Sequence, residues 1–520
     1  MSKASLIVGN SNWAIKDSSL LGYNINDSNI YSPFPFDVTR ATPATRVDKA
    51  GLIVTDEEIL SGELVTNGSF DTDSDWTFIG TTEISNGVAS FPNSTNSFLI
   101  QSNVFDLSVK TYKLQYKVVT TNGNNFRLAG GNSAFGLLNL DSATIGFKTV
   151  YITSNGTKQN LQFNNNTFIG SIDIVSVVEV NQNNLARIDY LDSTKGVLLT
   201  EPQSTNTTIQ SQAISNLSIF AGGVSTHTVT DNYTTSPNGG MNASRFQATR
   251  SSSDADSALI RTGNIGTGDV TVSFYAKSLT GANQNMLSYI ADAGVGEVFV
   301  VTSEWKRFVV SGNQATNNIA LIGTRGGSGQ FYNGGDENLD IAVWGIQTEN
   351  LPYATSIIPT SGSTVTRNAD QVYGAGDVST FNSTEGTLFG EFSSNANDNN
   401  SNWINISDGT NSNWLFVGRD GTNVRTYLKS NNVVVSSDET NLLADNNKVA
   451  LSYKSGDIRV WINGVKVVNL TSAFSFSSDL NQLNFGLYNG GATTTQTSWK
   501  QVQVFNTILT DAELIKLTTI

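Results

Sequence analysis

The stretch Arg459-Val460-Trp461-Ile462-Asn463-Gly464-Val465-Lys466-Val467 decides the fold class. Asn-Gly between alternating residues is a hairpin signal, because both central residues of a type I′ turn need positive φ and these two accept it. The turn sets the register: Ile462 opposes Val465 and Val460 opposes Val467 on one apolar face, while Trp461 meets Lys466 on the other. Working outward, the same alternation recurs. Val270, Val272, Phe274 and Ala276 alternate with Thr271, Ser273, Tyr275 and Lys277, a half-buried strand. Tyr112 to Val118 and Ser171 to Val177 read alike, with Ile172, Ile174 and Ser176 on one face and Asp173, Val175 and Val177 on the other. Turns such as Asn122-Gly123 and Asn155-Gly156 punctuate these runs at intervals that suit a sandwich.

The expected class is therefore all-β: tandem β-sandwich (jelly-roll) modules with an extended N-terminal arm and a short C-terminal helix. At 520 residues the chain exceeds one ordinary core, and roughly 150 residues per domain predicts about three or four units. Residues 1–62, broken by Pro33, Pro35 and Pro43, lack repeated alternation and read as an attachment arm. Residues 63–180 form a first jelly roll, 181–205 a connector, 206–365 a second jelly roll and 370–520 a third sandwich. Leu339-Asp340-Ile341-Ala342-Val343-Trp344 echoes Ile172-Asp173-Ile174-Val175-Ser176-Val177, which suggests two related sandwiches in tandem. Thr510-Asp511-Ala512-Glu513-Leu514 is a capping box and predicts the terminal helix.

Composition removes several kinds of chemistry. A net charge of −14 without a basic stripe opposes nucleic-acid binding, since a phosphate backbone would be repelled. With no cysteine and one histidine, His227, thiolate sites and multi-histidine zinc sites are excluded. His227 has no Gly-x-Ser-x-Gly partner motif, so a strand or loop residue is the simpler reading than a triad. No apolar run is long enough to span a membrane, and the opening residues do not read as a signal peptide, so synthesis in the cytoplasm is expected.

Several segments resemble known families. Glu63-Leu64-Val65-Thr66-Asn67-Gly68-Ser69-Phe70-Asp71 with Trp76 resembles the opening strand of jelly-roll carbohydrate-binding modules, and the strand around Ile172–Val177 their closing one. The Trp461-Ile462-Asn463-Gly464 hairpin and the Val504-Phe505-Asn506 to Leu514 ending resemble a concanavalin-like (laminin-G-like) sandwich. Arg40 to Asp48, Leu198 to Asn206, Tyr353 to Thr360 and Val365 to Asp370 resemble linkers of tailed-bacteriophage structural proteins.

The resemblance implies an exterior virion protein, a tail or head fibre or adhesin. It would meet other virion proteins through the arm, assemble as a homo-oligomer (a trimer by preference) and contact host surface polysaccharide from the virion surface. The resembled jelly rolls often hold a structural calcium near the opening and closing strands, which points to Asp71 and Asp173; two ordinary edge acids are the simpler alternative. No other cofactor is expected.

Sugar rings stack their C–H faces on aromatic planes while amides and acids bond their hydroxyls. Trp403 and Trp414 lie among Asn and Ser, Trp461 faces away from the apolar side of its hairpin, and Trp76 follows an acidic loop. These four are the carbohydrate-binding candidates; for each, a tryptophan filling a sandwich core is the competing reading. No catalytic residue is predicted, and the chain is expected not to be an enzyme. The alternative, a polysaccharide depolymerase, needs two carboxylates about 5–10 Å apart. Residues 370–520 lack the Glu-x-Asp-x-x-Glu run of laminarinase-like concanavalin folds.

Overall fold

The computed structural model describes the whole chain except residues 1–2, 10–12, 14, 17–18, 26–30, 95, 132, 254–255, 328–333, 395–398 and 442–444. It is almost entirely antiparallel β-structure, closed by one α-helix over Asp511–Thr518. Two compact units are present: residues 57–182 form one, and residues 1–56 with 183–520 the other.

Residues 57–182 make a two-sheet jelly roll. One sheet runs Glu83–Ser85, Val88–Phe91, Gly170–Asn181, Thr111–Thr121, Gly146–Thr153; the other runs Leu138–Asn139, Arg127–Leu128, Leu161–Asn164, Phe98–Gln101, Thr77–Ile79. Between them lies an aromatic core in which Phe126 packs on Phe91, Tyr116, Phe163 and Phe168.

Within the larger unit the second jelly roll repeats the plan strand for strand. Thr226–Thr234, Ala243–Thr249, Asn338–Glu349, Gly268–Ser278 and Lys306–Gln314 form one sheet, and Ser218–Gly222, Ser257–Asn264, Ile319–Arg325, Gln284–Ile290 and Val295–Val301 the other. Even the irregularities correspond. Pairing slips between Gln115 and Lys117 in the first jelly roll and between Ser273 and Tyr275 in the second. This bulge corrects the expected alternation: Ile174 takes φ 50° and turns outward, so Val175 and Val177 join Ile172 in the core. Gly345 occupies the matching position with φ 67°. The echo between the closing strands therefore aligns Asp173 with Trp344, not with Asp340.

The third sandwich draws strands from three distant places. One sheet runs Val433–Asn441, Asn423–Ser430, Trp414–Asp420, Ser401–Ser407, Gln482–Phe485, Gln371–Ala375, Asp37–Thr39. In the other, Thr497–Phe505 lies between Glu385–Ser393 and Leu6–Gly9, and Asn446–Lys454, Asp457–Ile462 and Val465–Leu470 continue beyond Glu385–Ser393.

Leu6–Gly9 and Asp37–Thr39, expected to lie in an extended arm, are thus strands of the third sandwich. Leu6 and Val8 are core residues registered on Val504 and Val502, and Phe36 is fully buried. The connector is likewise built in: Arg187–Asp189 and Val197–Thr200 pair as a hairpin whose second strand adds to Thr497–Phe505. Both segments read as linkers because their partner strands lie hundreds of residues away, and local alternation carries no trace of such pairing.

The Asn463-Gly464 turn forms with φ 49° and 84°, and Ile462 opposes Val465 as expected. A bulge then moves the partner of Val460 from Val467 to Val468. The terminal helix keeps its capping box, with Thr510 and Glu513 each bonding the other's backbone N–H.

The segments that resembled linkers converge on one buried ionic cluster. Arg40 Nη1 meets Asp370 Oδ1 at 2.6 Å, Arg187 Nη1 and Arg367 Nη1 each meet Glu201 Oε2 at 2.7 Å, and Arg187 also bonds Asp370. All five residues are buried. Burial pushes the Asp370 carboxyl up, but Arg187, Arg40 and Arg367 outweigh it and hold the group at about 2. Removing one partner from such a cluster leaves an uncompensated buried charge and costs about 3–5 kcal/mol.

Candidate functional site: an aromatic face on the C-terminal sandwich

Alternation along three neighbouring strands separates a core side from an outer side. Ile404, Ile406, Leu415, Val417, Val424 and Leu428 belong to the core of the third sandwich. Their neighbours Trp403, Trp414, Phe416, Arg425 and Tyr427 therefore project from the opposite face.

Register brings these side chains together. Phe416 opposes Tyr427, and Gly418 lies between Trp403 and Arg425 on the adjoining strands. A Cβ at Gly418 would lie 2.4 Å from Trp403 Cα, so this position excludes a side chain and leaves room for the Trp403 ring to lean on Phe416. Trp403 and Phe416 stack with centroids 4.5 Å apart at 18°, and Phe416 and Tyr427 at 5.1 Å and 16°. Trp414 packs beside this row, 5.0 Å from Phe416 and 5.4 Å from Tyr427. Tyr488 meets Trp414 edge-on at 5.5 Å. Its loop is pinned by Ser407 Oγ and Asn484 Nδ2, which both donate to the Tyr488 carbonyl.

The Arg425 guanidinium lies 5.5 Å from the Tyr427 centroid and bonds Asp420. Glu439 also engages Arg425, at 3.4 Å. Asp420 and Glu439 therefore share one cation, an arrangement suited to holding a guanidinium in place. The indole N–H groups of Trp403 and Trp414 are buried donors without an acceptor; those of Trp344 and Trp461 share this lack beneath other elements. What the face offers chemically is the half-buried rings of Trp403 and Tyr427 with a cation and neighbouring amides.

The other candidates lie elsewhere. Trp461 is 6% exposed and sits in a cluster with Phe389, Phe505, Leu509, Leu514 and Leu517 beneath the C-terminal helix, with Lys466 Nζ 5.5 Å from its ring. Trp76 is a core residue of the first jelly roll, packed on Phe70 and Phe163, and its Nε1 donates to the Asn67 carbonyl.

Asp71 accepts from Ser69 Oγ and Asp173 from the Ile174 backbone N–H. Among the described residues no group of three or more His, Asp or Glu side chains is placed to hold a metal ion. His227 stands exposed on a strand, opposite Ala248. Phe416, Tyr427, Tyr488 and Arg425 escaped the sequence reading. The signal that could have found them is spacing of two along Trp414-Leu415-Phe416 and Arg425-Thr426-Tyr427, which puts each pair on one side.

No protein-family model matches the sequence, and no curated protein matches it. Solved structures with a similar chain course include the carbohydrate-binding module CBM40 of a Ruminococcus gnavus IT-sialidase, with 17% identity, 28% of this chain and 93% of that chain covered, and a TM-score of 0.24. Domain 4 of AbnA, a GH43 extracellular arabinanase from Geobacillus stearothermophilus, in complex with arabinotriose, shows 13% identity over 32% of this chain and 81% of that one, with a TM-score of 0.24. Mouse laminin α1 domains LG4-5 show 10% identity over 46% and 81%, with a TM-score of 0.18. Likeness at this level concerns the course of the chain alone. The class is that of an all-β protein of antiparallel sandwiches.

Proposed function

We propose that this chain is a non-enzymatic carbohydrate-binding structural protein whose C-terminal sandwich holds glycans against the Trp403–Phe416–Tyr427 row. The observation that carries this reading is the row itself: the half-buried rings of Trp403 and Tyr427 stacked on Phe416, on the side of a sheet that faces away from the core. Sugar C–H groups would contact the half-buried Trp403 and Tyr427 rings, and the Arg425 guanidinium would donate to hydroxyls. A glycan array probed with the full chain tests it. Binding to at least one polysaccharide is expected, weakened by about 2 kcal/mol or more in Trp403→Ala, the loss typical of a central aromatic anchor. Equal binding by the variant would remove the proposal.

The setting we propose is the exterior of a tailed-phage particle, as a tail or head fibre that forms homo-oligomers, with trimers preferred. Support comes from the resemblance of the linker sequences. Because Leu6–Gly9 and Asp37–Thr39 are sheet strands, contacts with other virion proteins are assigned to sandwich surfaces and not to a free arm. Among the described residues no helix is long and apolar enough to cross a membrane. Antibody labelling in electron micrographs is expected to decorate particles; unlabelled particles would count against the setting.

Depolymerase activity is the competing reading. Asp420 and Glu439, the acids beside the aromatic row, are both engaged by Arg425, which favours binding without cleavage. Incubation with a bound polysaccharide is expected to release no reducing ends. No resident cofactor is proposed: chelator is expected to leave the melting midpoint unmoved, and a fall that Asp173→Asn abolishes would restore a calcium between the two strands.

A further inference from the structure

The equivalent sheet faces of the two jelly rolls are used differently. At one register position of the first, Lys117 opposes Phe147 and its Nζ lies 5.8 Å from the ring, which is 68% exposed. At the matching position of the second, Tyr275 opposes Arg307, again with the cation 5.8 Å from the ring. There, however, the hairpin Thr45–Val47/Ile53–Thr55 packs Val47 and Ile53 with Tyr275 and Trp344, and Tyr275 falls to 9% exposure. The connector residues Asp189 and Asp192 and the sheet residue Ser498 supply further walls. An open face has become a cavity of about 290 Å³.

We propose that this cavity is a second carbohydrate site, taking a single neutral pyranose residue between Arg307 and Asp192. The proposal goes beyond the aromatic face and does not depend on it. Arg307 Nη2 donates to Ser273 Oγ at 2.9 Å, and among the described residues no ion pair engages its guanidinium. The other guanidinium in the wall, Arg46, is bound to Asp56 at 2.6 Å. Both oxygens of Asp189 are taken, by the backbone N–H groups of Val47 and Leu191. Asp192 reaches the cavity from an exposed stretch of the connector.

Arg307 and Asp192 line the same cavity, with the guanidinium 5.8 Å from the Tyr275 ring. A vicinal diol can accept from the guanidinium and donate to the carboxylate at once, and a neutral ligand leaves no residual charge. The volume lies at the lower end of the roughly 300–1,000 Å³ range of ligand pockets and suits one ring, not a chain.

Saturation-transfer NMR on the full chain, with the methyl α-pyranosides of glucose, galactose and mannose as probes, tests the proposal. Transfer to at least one is expected, with affinity falling about tenfold in both Arg307→Ala and Asp192→Asn, the loss of one hydrogen bond to a charged group. Thermal melting of both variants controls for misfolding. The Trp403→Ala/Trp414→Ala pair is expected to keep pyranoside binding while losing polysaccharide binding, which separates the two sites. No transfer from any of the three sugars, or unchanged affinity in both single variants, overturns the proposal.

Discussion

Tryptophans lie on the outer sides of both sheets of the C-terminal sandwich, and their fates differ. On one sheet Trp461 is roofed by the helix Asp511–Thr518, whose Leu514 and Leu517 close over it. On the other, Trp403, Phe416 and Tyr427 stack with Trp414 beside them; Phe416 and Trp414 are buried, at 2% and 7% exposure, while Trp403 and Tyr427 are half-buried. Residue type does not separate the two sheets; what covers each ring does. An indole beneath a helix is core, and the half-buried outer rings of the stack are left for a partner.

Substitution should reveal the contrast most strongly at Trp461. Trp461→Ala removes a buried indole and is expected to cost about 3–5 kcal/mol of stability. Its melting midpoint should fall well below that of Trp403→Ala at the half-buried ring, while its folded fraction keeps polysaccharide affinity. Equal midpoints would erase the distinction between the faces.

The scaffold common to both faces should fail in acid. Asp370 is held at about 2, below its ordinary 3.8, so its contribution is present above pH 4 and is lost as pH falls toward 2. Melting between pH 5 and 2 is expected to show a midpoint that drops with acid for residues 183–520. In Asp370→Asn that drop should shrink and the starting midpoint should be lower, because Arg40 and Arg187 lose their shared carboxylate. The smallest effect belongs to the cation beside the row. Arg425→Gln is expected to weaken polysaccharide binding by about 0.5–1 kcal/mol through its loss over Tyr427, readable by calorimetry.

The class of fold was legible because its signals are local. The Asn463-Gly464 turn, the alternation from Val270 to Lys277 and the Thr510/Glu513 capping box each depend on residues within a few positions of one another. The pairing of Leu6 with Val504 is not local, so a core strand passed for an arm. The ionic cluster was hidden for the same reason: Arg40, Arg187, Glu201 and Asp370 each sit in unremarkable loop-like sequence and acquire meaning only together.

The site was half visible. Trp403 and Trp414 stood out among Asn and Ser, but Tyr427 and Arg425 looked like ordinary members of a strand until register set them beside Phe416. Trp76 and Trp461 were equally candidates from their settings in sequence, since a tryptophan does not announce which element covers it. The bulge at Ile174 inverted half a strand for a further reason: positive φ at a β-branched residue is a tertiary outcome that no propensity predicts.

A crystal structure of the full chain with the glycan that binds most tightly would reach the heart of the matter. The account predicts a sugar ring in contact with Trp403 or Tyr427, with a hydroxyl within hydrogen-bonding distance of the Arg425 guanidinium. A well-ordered glycan bound anywhere else, with this face bare, would contradict it.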